Sequence, residues 1–397
     1  MVQSHHPVIG RCARPICLIV VTLWAGAHSG SIARADEGPS PFLLWDPSKP
    51  IPKRNELPPI EGLRFCIVKE RRPEIDGYRW LHGAAIVRHI GILYTSWGHN
   101  RGEENTVTEI VQGRRSTDDG RTWLPIEMIA AGDTERGVSH GVFLSHERTL
   151  WAFLSSFTGP RRDTRMQAYV LDEQAGRWER RPITIGKGFW PMAEPLKMDD
   201  GNWIMAGITV ASKYPAAVAI SHGDDLANWE VVEIPQAEAL GRMWGESAVI
   251  VESAEVTCIA RYGAKGLALA SASKDYGRTW TPMRESNLPM TPAKPYAGIL
   301  STGQRYVIGT ICADAGMRRT PLSIAVSAPG RRQFSKIYRI ADTPKGTNLS
   351  GNQPHLSYPY ALEYDGRLYV IYSAALVPGN QNNAELAIIP VDALTAD

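Results

Sequence analysis

Four side chains in the second half of the sequence carry groups able to hold an anion and move a proton. Glu246 stands in Gly245-Glu-Ser-Ala-Val-Ile-Val, at the head of an apolar run, and Arg261 closes the run Cys258-Ile-Ala-Arg. Arg319 opens Arg-Thr-Pro-Leu-Ser-Ile, and Tyr358 lies in Leu356-Ser-Tyr-Pro-Tyr360. Guanidinium groups bind a carboxylate through paired, charge-assisted hydrogen bonds. A phenol beside a carboxylate can lose enough of its proton to attack an electrophile or to pass the proton on. In the first half, His82 and His140 offer imidazoles, which suit proton transfer near neutral pH. Each residue also has an ordinary reading as a capping acid, a paired arginine, or a core tyrosine or histidine. Tyr358 competes with Tyr360, and Arg319 with the adjacent Arg318. They make a site only if the elements carrying them converge.

A repeat supplies those elements. Ser116-Thr-Asp118-Asp-Gly120-Arg-Thr-Trp123 and Ser273-Lys-Asp275-Tyr-Gly277-Arg-Thr-Trp280 share the pattern S-x-D-x-G-x-T-W. Degraded copies end at Trp178, Trp229 and Phe334, so the terminal aromatics are spaced by 55, 51, 51 and 54 residues. In each copy Ser and Asp side chains can bond nearby backbone N–H groups, Gly supplies positive φ, and the aromatic packs back on a sheet. Asp118 and Asp275 are therefore read as structural. Short strands are expected between the turns, among them 83–87, 149–154, 203–208, 267–272 and 367–373. Fifty residues hold four strands and their turns. Five turn-bearing units, plus one closed by the C-terminal segment and the first strand of the mature chain, predict an all-β, six-bladed β-propeller of four-stranded antiparallel blades.

Boxes of this pattern at this period resemble the repeats of bacterial sialidases (neuraminidases), which are six-bladed propellers. The likeness runs over about residues 64–394. The segment around Glu246 resembles the family's N/G-E-S-x-V-V, and this implies that Glu246 is the base partner of a catalytic tyrosine. Cys258-Ile-Ala-Arg261 and Arg319-Thr-Pro-Leu-Ser-Ile-Ala-Val-Ser327 resemble the strands that bring arginines to the substrate carboxylate. The region of Tyr358, followed by Asp365-Gly366, resembles that of the nucleophile.

Two positions depart from the family pattern. The family's first arginine, on an R-I-P-A strand, is matched by His82-Gly-Ala-Ala-Ile-Val, with Arg79 three residues earlier as a possible substitute. Its acid/base aspartate, in V-x-D-P-T, is matched by Val138-Ser-His140-Gly-Val. The resemblance thus implies Tyr358, Glu246 and His140 as catalytic residues, with Arg261, Arg319, His82 and Arg79 binding substrate. Trp190, Trp244, Arg242 and Tyr262 are rim candidates, and Gly102-Glu-Glu-Asn105 resembles a substrate-side loop.

The N-terminus reads as a leader. His5, His6, Arg11 and Arg14 precede an apolar stretch over 15–27 that is too short to span a bilayer, and Ala33-Arg-Ala35 matches a cleavage signal. Cleavage after Ala35 is expected, giving a secreted or periplasmic protein with a Pro-rich lead-in at 36–63 packed outside a propeller at 64–397. The leader holds Arg11, Arg14 and Arg34 and no acid, so the net charge of +2 becomes −1 without it. Bulk charge therefore favours neither nucleic acid nor an anionic membrane. Cys66, Cys258 and Cys312 each lie in an apolar run and are expected as free thiols, although one bridge remains open. No Cys/His spacing suggests zinc, and no cofactor is expected.

The first functional expectation is a monomeric exo-sialidase-type glycoside hydrolase that acts on a terminal acidic sugar of a glycan. Two alternatives stand beside it. One is a lyase or atypical glycosidase acting on uronate polysaccharides, where the two histidines and the tyrosine would move protons. The other is a lectin-like propeller that binds without turnover.

Overall fold

The computed structural model describes residues 40–346, 353–376 and 381–396, so the leader expectation at 1–35 lies outside the described residues. Hydrophobic residues run continuously through most strands instead of alternating. All seven residues of Trp203–Thr209 and all six of Leu322–Ser327 are buried. Such strands need cover on both faces, and radially packed blades provide it.

Six antiparallel sheets result, each a meander in which sequential strands pair. The first blade runs Trp80–His89, Ile92–Asn100, Ile110–Ser116 and Glu127–Ala131. The second runs Gly137–His146, Thr149–Thr158, Arg162–Asp172 and Arg177–Arg181. In the third the innermost strand is broken into Phe189–Pro191 and Leu196–Lys197, both paired with Trp203–Thr209. The fourth begins at Ser247–Glu252 and the fifth at Tyr296–Ile299. The sixth consists of His355–Tyr364, Arg367–Ala375 and Asn383–Pro390, closed by Arg64–Lys69 from the other end of the chain. That last pairing, Arg64 opposite Ile388, ties the ring shut. The predicted six-bladed propeller is the observed fold.

Burial falls from the inner strands to the outer ones: Arg177–Arg181 has no fully buried residue. Part of the outer surface is covered by the Pro-rich segment. Phe42, Trp45 and Pro59 make isolated parallel bridges to Ser286, Phe334 and Arg339 on the outer strands of the fourth and fifth blades. The Asn287 carboxamide accepts from the backbone N–H of Leu44 and of Trp45, each at 2.9 Å.

The two good boxes join the third and fourth strands of their blades. In each, the Asp carboxylate accepts from the Thr backbone N–H at 2.8 Å and the Thr hydroxyl at 2.6 Å, while the Ser hydroxyl accepts from the Gly N–H at 2.9 Å. These bonds hold the Asp118 carboxyl down at about 2, the Thr122 hydroxyl contributing most. In a four-stranded meander this turn lies at the end opposite the start of the first strand. The boxes therefore face away from the site described next. Cys66, Cys258 and Cys312 are free thiols.

Candidate functional site

First-strand starts and the loops between second and third strands share one end of the propeller, and these segments carry most of the chemical side chains. They line a cavity of about 390 Å³ that includes His82, Glu104, His140, Glu246, Arg261, Arg319, His355 and Tyr358. Trp190, Tyr214, Trp244 and Arg161 complete much of its wall.

A recurring backbone device aims the central residues. The ladder register shifts between His82 and Ala85, between Ser139 and Gly141, and between Ser357 and Tyr360. A bulge in an inner strand breaks the alternation of sides and turns one residue toward the axis. Here His140 and Tyr358 lie within such bulges, and His82 stands immediately before one. Tyr358 also has φ 55°, as do, at 51–62°, the cavity residues Asn105, Arg161, Tyr214 and Trp244. Left-handed backbone in non-glycine residues is costly and gathers at functional sites. Gly83 shows why a side chain is excluded beside the bulge: a Cβ there would lie 2.2 Å from the His140 ring.

At the centre, the Tyr358 hydroxyl donates to Glu246 Oε1, and Glu246 Oε2 accepts from Arg261 Nη1 at 2.7 Å. Arg261 Nη1 also lies 3.5 Å from the phenol oxygen. Burial pulls the Glu246 carboxyl upward, but Arg261 and the Tyr358 hydrogen bond outweigh it and leave the group below its usual range. Burial and the neighbouring Glu246 charge push Tyr358 well up, so its proton rests on the phenol. Arg319 lies over the Tyr358 ring, 5.8 Å from its centroid, and its Nη2 donates to the Pro292 carbonyl at 3.2 Å. It forms no ion pair among the described residues. Arg261 Nε–H likewise has no acceptor among them. Arg319 thus reaches the cavity without an ion-pair partner among the described residues, and Arg261 with one N–H unsatisfied.

The histidines are held neutral. His82 is 1% exposed; its Nδ1 is 3.1 Å from Ser373 Oγ and its ring centroid 3.9 Å from that of Tyr358. Burial, with His140 and Arg319 nearby, drives it far below the ordinary imidazole range. His140 sits edge-on to Tyr358 at 6.0 Å, and burial followed by the Lys294 charge pushes it down to about 3. His355 is lowered to about 4 by burial and Arg319. These surroundings do not favour the proton-giving imidazolium expected at His140. The cavity's second carboxyl is Glu104, on the loop after Ile92–Asn100.

Arg79 is not brought to the cavity. It is exposed and lines a neighbouring depression with Trp80, Gly102 and Gln381, which shares only Glu104 with the cavity. It stands three positions before His82, an odd offset that sends its side chain to the other face of an extended chain. Tyr360 is also excluded: it lies deeper, its ring 4.9 Å from Tyr296. Arg318 is exposed and lines no part of the cavity, which leaves Arg319. Tyr262 is buried outside the wall, its hydroxyl 3.4 Å from the Leu240 carbonyl. Sequence reasoning missed His355, Tyr214, Arg161 and the buried Lys294. Only Lys294 left a trace, as a cation within the apolar, Pro-flanked Met290-Thr-Pro-Ala-Lys-Pro. No cluster of three or more metal-ligating side chains occurs among the described residues.

The family model for the BNR repeat-like domain matches residues 91–370. The chain belongs to that family. Among solved structures, this BNR-repeat propeller is similar to the Hadza microbial sialidase Hz136, with a TM-score of 0.66 and 14% identity over 83% of this chain and 69% of that one. A protein of unknown function from Dyadobacter fermentans gives 0.63 at 14% identity, covering 83% of this chain and all of the other. Trypanosoma rangeli sialidase gives 0.60 at 13% identity; the match spans 83% of this chain and 59% of the sialidase. At these identities the likeness shows the fold of the sialidase/BNR-repeat superfamily. No match was found among curated protein sequences. Among the described residues, no helix is long and apolar enough to cross a membrane.

Proposed function

We propose that the propeller is a retaining glycoside hydrolase that removes a terminal acidic sugar, with the carboxylate received by Arg319 and Arg261. The observation that carries this reading is the Tyr358–Glu246–Arg261 chain beside the unpaired Arg319. A buried donor such as Arg261 Nε left without an acceptor costs about 1–3 kcal/mol, a cost that a bound carboxylate would relieve.

Tyr358 Oη forms a bond to the anomeric carbon as the bond to the leaving oxygen breaks, and the phenol proton passes to Glu246. A neutral phenol suits this task because a carboxylate nucleophile would be repelled by the sugar's own carboxylate. The leaving oxygen takes a proton, which we assign to Glu104 in preference to the neutral His140. Water then attacks the anomeric carbon as its bond to Tyr358 Oη breaks; the water's proton returns to Glu104, and the freed phenolate recovers its proton from Glu246. His82 and His140 shape the pocket floor as neutral hydrogen-bonding rings.

Product analysis after incubation with sialosides and uronate polysaccharides tests the reading. It predicts free acidic sugar that has gained the elements of water and kept its anomeric configuration. An unsaturated, ultraviolet-absorbing product would indicate elimination, and binding without any product would indicate a lectin. We place the protein outside the cytoplasm on the strength of the leader-like segment; a mature N-terminus at Asp36 would support this.

A further inference from the structure

At one side of the cavity Tyr214 and Trp244 stack, ring centroids 4.2 Å apart and planes 25° from parallel. The pair is fixed in place. Met243 N–H donates to the Lys213 carbonyl at 3.0 Å and Gly245 N–H to the Tyr214 carbonyl at 2.9 Å, which zips the two loops together. Both aromatics hold left-handed backbone, φ 51° and 56°. Two glycines permit the approach: a Cβ on Gly245 would lie 2.5 Å from Ala216 N, and one on Gly263 would lie 2.8 Å from Trp244 Cδ1. Neither ring is buried as a core residue; both are partly open and face the cavity.

Cations crowd this platform. The Arg161 guanidinium lies 4.8 Å and that of Arg242 4.5 Å from the Trp244 ring centroid, and Arg242 is also 4.5 Å from that of Tyr214. Arg261, already engaged with Glu246, stands 5.8 Å from the same indole. Neither Arg161 nor Arg242 forms an ion pair among the described residues. Like charges gathered on one indole repel one another, and cation–π contact repays only part of this at an exposed site. An aromatic surface matches the apolar face of a sugar ring, and guanidinium groups held over the rings match a carboxylate or sulfate.

We propose that the Tyr214–Trp244 platform, with Arg161 and Arg242, is a subsite for a second anionic group on the same glycan, beyond the sugar whose carboxylate meets Arg319. The preferred substrates are therefore oligosaccharides bearing two or more acidic groups. This rests on the proposed binding of an acidic sugar but not on its cleavage.

The test uses the full chain carrying Tyr358→Phe to prevent turnover, and calorimetry at low salt with sialyllactose, disialyllactose and sulfated sialyllactose. The doubly charged ligands should bind about tenfold tighter than sialyllactose, as expected for one added charge-assisted contact. The arms with carboxylate and sulfate show which anion the subsite takes. Arg161→Gln with Arg242→Gln should bring the affinity ratio close to one, and the paired Lys substitutions should restore part of it. Equal binding of singly and doubly charged ligands by the starting protein overturns the subsite alone, as does a ratio that survives the Gln pair. Absence of all binding by folded protein overturns the acidic-sugar reading together with it.

Discussion

Lys294 holds its ammonium 2.9 Å from the carbonyl oxygen of Pro359, the residue that follows Tyr358 in the bulged inner strand. A second bond, at 3.1 Å, reaches the Met192 carbonyl across the axis. The side chain is buried, and burial pushes the ammonium down to about 8 against the opposing pull of Glu246 and Glu194. Lys294 thus ties the strand of Tyr358, the proposed nucleophile, to the third blade and sets a positive charge near Glu246 and His140.

Replacing it should therefore do two things. Lys294→Met leaves two buried carbonyls without that donor and should cost roughly 2–4 kcal/mol in a denaturant titration. It should also raise the His140 pKa, since the positive charge that helps disfavour imidazolium is gone. Titration of the His140 ring by NMR checks the second effect, which a packing defect alone would not produce.

Tyr358→Phe and Glu246→Gln should each lower kcat by about 10²–10⁴-fold on an acidic glycoside. Steady-state kinetics on both variants provides the check. Activity left intact by either change would remove that residue from the assigned chemistry.

Proton delivery separates Glu104 from His140. A good aryl leaving group needs little protonation, whereas a sugar hydroxyl needs it fully. Glu104→Gln should therefore slow a natural glycoside by about 10²-fold and an activated aryl glycoside far less. His140→Gln should slow both substrates alike. A reversed pattern would return the acid/base role to His140.

Three histidines should draw stability down as the pH falls, against the opposite contribution of Glu109, whose carboxyl is pushed up to about 8 by burial. His140 is pushed to about 3, and His99 and His355 to about 4, in each case chiefly by burial. Below the ordinary value of 6.5 the unfolded chain takes up protons that the folded chain refuses, so stability drops as pH falls toward those native values. Each such histidine contributes up to about 1.4 kcal/mol per pH unit in that window. Thermal melts at pH 7 and pH 5 isolate the effect by comparison: His140→Gln should lose less stability, or gain more, on going to pH 5 than the starting protein does.

Much of the architecture was legible because it rests on local chemistry. Ser116, Asp118 and Gly120 specify a turn by themselves, and repetition at a fixed period specifies blades. Glu246, Arg261, Arg319 and Tyr358 were legible as a group through the resemblance of their segments to those of sialidases, and the propeller gathers all four at one cavity. Arg79 misled because the resemblance offered it as a substitute three positions before His82, and in regular extended backbone that odd offset puts it on the opposite face. Tyr214 and Arg161 were invisible for a different reason. They owe their places to left-handed backbone in loops, which no residue preference announces. Lys294 was passed over because a lysine in a loop reads as solvated, and only the closed ring buries it.

The most direct test is to capture the sugar on the phenol. A fluorinated acidic glycosyl fluoride slows the second step by destabilising its positively charged transition state, while fluoride departs readily in the first. Peptide mass analysis after such treatment should find one sugar attached at Tyr358, with none on the Glu246→Gln variant. A protein that releases acidic sugar from natural glycosides, yet carries no adduct or carries it on another residue, would contradict the assignment of Tyr358 as nucleophile.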